Sequence, residues 1–226
     1  MKKLKFTYLI LSLCAITAQG QIVSGIGIAG GLTYGTQRWN PEGPLAQERW
    51  LLRFNGAVLA EFFHHPMYRW RTEIEYNLMG TKELTYPTPS SVMLSNRTNY
   101  FSWNNYLKIM YNKFTFVPYI LVGPRIEYKF RVNAQIYQPE MSALNLLQLT
   151  GCAGVGGELM WNGPIRPFIE LLYNHDLIPS YNDLFNGSLV QTKILYEGFE
   201  LRIGVKFFNM KKNSDKCPPV YNPMGN

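Results

Sequence analysis

The chain has 226 residues, 46% of them hydrophobic, 16% charged and 15% aromatic, yet its mean hydropathy is only −0.13 and its formal net charge +7. A helical membrane protein needs several apolar runs of about 20 residues, and none follows residue 20. Charge is low for a cytosolic domain, where about 25% is usual, and the aromatic content excludes disorder. What remains is one Tyr- and Gly-rich β domain that hides apolar residues by alternation.

Residues 1–20 read as an address. Lys2, Lys3 and Lys5 precede the apolar stretch Phe6 to Ala18, and Ala18-Gln19-Gly20 fits a small-residue cleavage site after Gly20. Cys14 raises a lipoprotein alternative, but Leu13 stands where a small residue is wanted. Without the three lysines the mature chain is only mildly basic, at +4, so no nucleic-acid partner is expected. Cys152 and Cys217 form no disulfide framework or metal motif. No metal or other cofactor is expected.

From about residue 22 to 208 eight segments alternate apolar and polar residues, each followed by a turn. Period-2 alternation gives a strand two unlike faces. Segment one carries Ile26, Ile28, Leu32 and Tyr34 with glycines between, and segment two carries Leu52, Phe54 and Val58 against Arg53, Asn55 and Glu61. Segment three sets Tyr68, Trp70, Ile74 and Tyr76 against Arg69, Arg71, Glu73 and Glu75. Segment four sets Phe101, Trp103, Leu107 and Ile109 against Ser102, Asn104, Tyr106 and Lys108. In segment five Ile120, Val122, Ile126 and Tyr128 oppose Arg125, Glu127, Lys129 and Arg131. Segment six opposes Leu147, Ala153 and Val155 to Gln148, Thr150 and Glu158. Segment seven opposes Ile169, Leu171 and Tyr173 to Arg166, Glu170 and Asn174. In segment eight Phe199, Leu201, Ile203 and Val205 oppose Glu200, Arg202 and Lys206.

Connections alternate in length. His64-His65-Pro66-Met67, Asn112-Lys113 and Asn162-Gly163-Pro164 are short; those at about 39–50, 81–98, 133–146 and 177–192 are long. This predicts an all-β, eight-stranded antiparallel up-and-down transmembrane barrel, with short periplasmic turns and long extracellular loops. Aromatic residues agree. Phe62, Tyr68, Trp70, Tyr111, Phe114, Phe116, Trp161 and Phe207 fall at the short-turn end, and Tyr34, Phe101, Trp103, Tyr128, Phe130 and Tyr173 toward the other, as two interfacial girdles require. A soluble lipocalin-like barrel, with its apolar face inward, is the alternative. Residues 21–209 form the barrel in this reading, and the Pro- and Lys-rich 210–226 a disordered periplasmic tail.

An eight-stranded lumen is just wide enough for side chains to fill. Its expected charge network is Arg53, Glu61, Arg69, Arg71, Glu73, Glu75, Lys108, Arg125, Glu127, Lys129, Glu158, Arg166, Glu170, Glu200 and Arg202. Acids and bases are interspersed, which predicts a salt-bridged plug; an ion path is the functional alternative.

Gly25-Ile26-Gly27-Ile28-Ala29-Gly30-Gly31-Leu32, Pro118 to Pro124, the Gly-rich 151–157 stretch, Glu170 to Leu177 and Leu201 to Phe207 resemble the PorT-type family of small outer-membrane barrels. The resemblance covers nearly the whole mature chain. It implies a cell-envelope role, with a link to type IX secretion and gliding machinery. Partners would be outer-membrane lipid and another envelope protein, met through the loops or the barrel wall. No catalytic residues are expected. The one esterase-like set weighed is His175 with Ser180 and Glu170, and its bland reading is a polar strand end. A narrow solute channel is the other functional alternative.

Overall fold

The computed structural model describes residues 23–40, 46–63, 65–85, 92–113, 115–133, 145–160, 164–184 and 191–208. The segments expected to be a leader and a tail, the latter with Cys217, and His64, Phe114 and Trp161 lie outside them. Among the described residues there are nine strands: β1 (Val23–Asn40), β2 (Ala46–Phe62), β3 (Tyr68–Thr85), β4 (Val92–Met110), β5 (Phe116–Asn133), β6 (Leu147–Leu159), β7 (Ile165–Asp176), β8 (Tyr181–Leu184) and β9 (Gln191–Phe208). Each pairs antiparallel with its neighbour, and β1 pairs with β9 from Gly25↔Phe208 to Asn40↔Lys193, so the sheet closes on itself. β8 is not a ninth stave. It pairs with the same edge of β9 as β7 does, beyond the stretch that β7 covers, and continues the seventh stave after a break. The barrel is eight-stranded, and the β1–β9 pairing closes the two edges that an open sheet would leave.

Its polarity is inverted relative to a water-soluble barrel. Phe54, Ile74 and Ile203 point outward and are 72%, 67% and 65% exposed, while Arg71, Arg125 and Arg202 are fully buried inside. The lipocalin-like alternative requires the reverse and is overturned. An apolar band outside a polar filling suits a hydrocarbon solvent, in which every backbone group must pair within the protein.

The strands run further than the alternation shows. β3 continues to Thr85 and β4 starts at Val92, so most of the loop expected at 81–98 is strand; β2 likewise starts at Ala46. In these stretches, Thr81-Lys82-Glu83-Leu84-Thr85 and Val92-Met93-Leu94-Ser95-Asn96, apolar and polar residues no longer alternate, so the period-2 signal fades although the ladder continues. Beside a register shift at the start of β1 between Val23 and Gly25, two fall further along the described strands, one in β2–β3 between Trp50 and Asn55, one in β4–β5 between Asn99 and Tyr100. The β4–β5 shift leaves Phe130 and Arg131 both exposed and pairs Arg131 with Asn99. Arg131, expected inside from its parity, is thereby turned outward, as bulges do.

The inner faces differ by strand. β1 lines the lumen with Gly25, Gly27, Ala29, Gly31, Thr33, Gly35 and Gln37 and carries no charge there. Gly31 and Gly123 sit where backbones nearly touch: a Cβ would lie 2.1 Å from the carbonyl of Leu201 in one case and 1.8 Å from that of Asn105 in the other. On the far side, Tyr106, Met110, Val117, Tyr119, Leu121, Cys152 and Leu172 form an inward apolar sector. At the short-turn rim Met110 N–H donates to Met67 O (2.7 Å) and Met160 N–H to Thr115 O (2.7 Å). Phe63, leaving β2, takes φ 65°, a conformation rare for a bulky side chain.

Candidate functional site: the charged lumen

Because β3 keeps one parity from Arg69 to Asn77, Arg69, Arg71, Glu73 and Glu75 stack on one inner face; β9 does the same with Glu200, Arg202 and Lys206. The register sets these opposite inward residues of β2, β4, β5, β6 and β7, and the result is three tiers.

The tier nearest the short turns is a square of two lysines and two glutamates. Lys108 Nζ donates to Glu61 (2.9 Å) and Glu158 (2.7 Å), and Lys206 Nζ to the same pair (2.8 and 2.5 Å). Arg69 adds a bond to Glu61 at 3.1 Å, and Arg166 lies 3.8 Å from Glu158. The Lys108 ammonium also sits 3.9 Å from the Tyr119 ring centroid.

The middle tier is an arginine–glutamate lattice. Arg202 bonds Glu73 (2.9 Å) and Glu170 (3.0 Å), with Glu75 at 3.5 Å. Arg71 forks onto Glu170 and holds Glu73 through Nε at 2.5 Å. Arg125 joins Glu200 (2.7 Å) to Glu75 (2.9 Å). Amides and a phenol fill remaining acceptor positions. Asn104 donates to Glu75 (2.7 Å) and Glu73 (3.2 Å), Asn77 and Asn174 to Glu200 (2.8 and 2.7 Å), and Tyr119 to Glu170 (2.6 Å).

The outer tier is looser. Asp176 accepts from Thr150 (3.1 Å), Ser180 (3.3 Å) and the Tyr196 backbone N–H (2.6 Å), and Ser180 donates also to Gln148 (2.6 Å). Tyr196 meets Gln37 and, at 3.3 Å, Thr98. Among the described residues, neither Glu127 oxygen nor Lys129 Nζ has a hydrogen bond. Glu127 lies 3.6 Å from Arg125, and Lys129 lies 6.0 and 5.8 Å from the Tyr100 and Tyr196 rings.

In the two lower tiers every charge has an opposite charge within 4.0 Å. That is the condition for tolerating burial, since an unpaired ion away from water costs several kcal/mol. Of the expected network the structure gathers all but one member. Arg53 stands apart; it is only partly buried, and Arg97 is the charge acting on it. It keeps the inward parity, paired with Thr33 in the unbroken β1–β2 register, but among the described residues no carboxylate reaches it. Two members escaped the expected set. Lys206 is in phase with Arg202 and Glu200, and Asp176 with Glu170 and Asn174, so alternation alone could have found both.

The esterase-like set does not assemble. Glu170 is locked in the lattice and Ser180 is bonded to Asp176 and Gln148 on the inner side. His175 lies partly exposed on the other face of β7, stacked on Tyr173 and 3.8 Å from Glu197. His65 stacks on Tyr68 at the short-turn rim.

The chain matches no family model, and its sequence matches no curated protein. Solved structures are similar in fold. The outer membrane protein OprG of Pseudomonas aeruginosa superposes with a TM-score of 0.52 at 10% identity, over 84% of this chain and 99% of that one. Neisserial surface protein A gives 0.45 at 13% identity, over 83% and 99%. Ail of Yersinia pestis gives 0.39 at 11%, over 81% and 99%. The likeness to OprG is one of fold, and it agrees with the topology above: this chain is a closed, eight-stranded antiparallel barrel of the small outer-membrane kind.

Proposed function

We propose that this barrel resides in the outer membrane with its short turns in the periplasm, and that it serves there as a closed, non-enzymatic structural or accessory component. The observation that carries this reading is the paired charge lattice across the two lower tiers, which fills the lumen with bonded side chains. A plugged barrel does its work on its outer surfaces, by holding another envelope protein at the long-loop rim or on the wall. The secretory leader with cleavage after Gly20 and the short-against-long connections support the placement. The PorT-type resemblance of the strand segments supports an envelope assembly such as type IX secretion or gliding as the setting.

Reconstitution into planar bilayers tests the closed lumen. The expected record has no conductance steps. Steps would instead support a narrow channel, the reading favoured by the unbonded Glu127 and Lys129 of the outer tier. Isolation of the tagged barrel from native envelopes in mild detergent tests the accessory role. A reproducible co-purifying envelope protein is expected; a bare monomer whose deletion leaves the envelope unchanged rejects it.

A further inference from the structure

The outer wall across β3, β4 and β5 carries an apolar groove of about 390 Å³, lined by Ile74, Phe101, Trp103, Ile126 and Tyr128. Register explains it: Ile74↔Trp103↔Ile126 and Tyr76↔Phe101↔Tyr128 are two rungs of outward residues. The long-loop end of the groove is walled by aromatics. Phe101 stacks on Phe130 at 4.9 Å, with Tyr76 edge-on to Phe101 at 5.7 Å. The next rung is polar. Asn99 donates to the Tyr76 hydroxyl at 3.2 Å. Its β5 partner is Arg131, the arginine that the bulge turns outward, and two residues further along β4 stands Arg97. Both arginines are exposed, and among the described residues neither has an acidic partner within ion-pair distance.

Read along β4, Trp103, Phe101, Asn99 and Arg97 thus run from apolar through aromatic to cationic on one face, at about 3.3 Å per residue. That sequence of layers matches a lipid: acyl chain, interface, anionic headgroup. Guanidinium forks suit phosphate oxygens. With the long-loop rim outside, the leaflet at this height is the outer one. We infer that this face is a binding site for a phosphorylated glycolipid of the lipid A class, with an acyl chain in the groove and a phosphate on Arg97 and Arg131. The outward turn of Arg131 is what brings the second arginine to the site.

The test is native mass spectrometry of the full barrel in neutral detergent, titrated with bisphosphorylated lipid A or with the same lipid after phosphate removal. The wild-type barrel is expected to prefer the phosphorylated form by about tenfold or more, given two arginines at a lipid surface. Arg97→Gln/Arg131→Gln is expected to bind both forms alike, while Arg38→Gln, beside Glu197 on another part of the wall, keeps the preference. Heat-modifiable gel mobility checks that each variant is folded. Inorganic phosphate at matched concentration should not displace the lipid. Equal binding of both lipids by wild type, an unchanged preference in the double variant, or displacement by inorganic phosphate alone would each overturn the assignment.

Discussion

Replacing Arg202 by Met probes the lattice at one of its two cations that meet three carboxylates, Arg125 being the other. The guanidinium lies wholly inside and bonds Glu73 at 2.9 Å and Glu170 at 3.0 Å, with Glu75 at 3.5 Å. Methionine fills similar volume but leaves Glu73, Glu75 and Glu170 sharing Arg71 and Arg125, which must also serve Glu200. Removing one partner of a buried pair costs about 3–5 kcal/mol, because a charge is left uncompensated away from water. Asn104 and Tyr119 still bond these carboxylates, so the lower half of that range is expected. The assay is equilibrium urea unfolding in lipid vesicles, followed by tryptophan fluorescence, with gel mobility as the check on folding. The companion Glu73→Gln/Arg202→Met deletes the stranded charge and should recover part of the loss, with a coupling of about 1–3 kcal/mol. A loss below about 1 kcal/mol in the single variant, with no recovery in the double, would refute the claim that paired burial holds the lumen together.

Gly123→Ala should block assembly of the heat-modifiable form, since its Cβ would sit 1.8 Å from a backbone carbonyl; Gly30→Ala, with its nearest atom at 3.8 Å, should fold normally. Ile74→Arg, on the lipid face, should lower stability in vesicles by about 2–4 kcal/mol by the same urea assay. Cys152 is free and buried inside, so a polar maleimide should leave it unlabelled in the folded barrel and label it in urea; rapid labelling of the native form would contradict the packed interior.

Alternation made most of this architecture legible, because one face meets lipid and the other a charged interior. Glu61, Glu158 and Glu200 could be placed from parity alone, and so could Lys206 and Asp176. What parity cannot register is a single extra residue in one strand. The shift at Asn99–Tyr100 turned Arg131 outward against the parity it shares with Lys129. Nor does a strand announce itself where apolar and polar residues cease to alternate, which is why the far ends of β3 and β4, with Val92-Met93-Leu94 in a row, read as loop. Which carboxylate meets which cation is set by register between strands up to 145 residues apart, as with Lys206 and Glu61, and no local pattern encodes it.

The uncharged inner face of β1 bears on how the circle is completed. Ion pairs link β2 through β7 and β9, while β1 gives the lumen mainly glycine, alanine, Thr33 and Gln37. Thr33 contributes only neutral bonds, to Asn77 and Asn55. The stem of Lys206 comes within 3.3 Å of where a Gly25 side chain would begin. Adding this stave at the seam therefore strips water from no charge of its own. The bracing can form first across seven staves, and the last gap can zip shut on backbone hydrogen bonds over a smooth track.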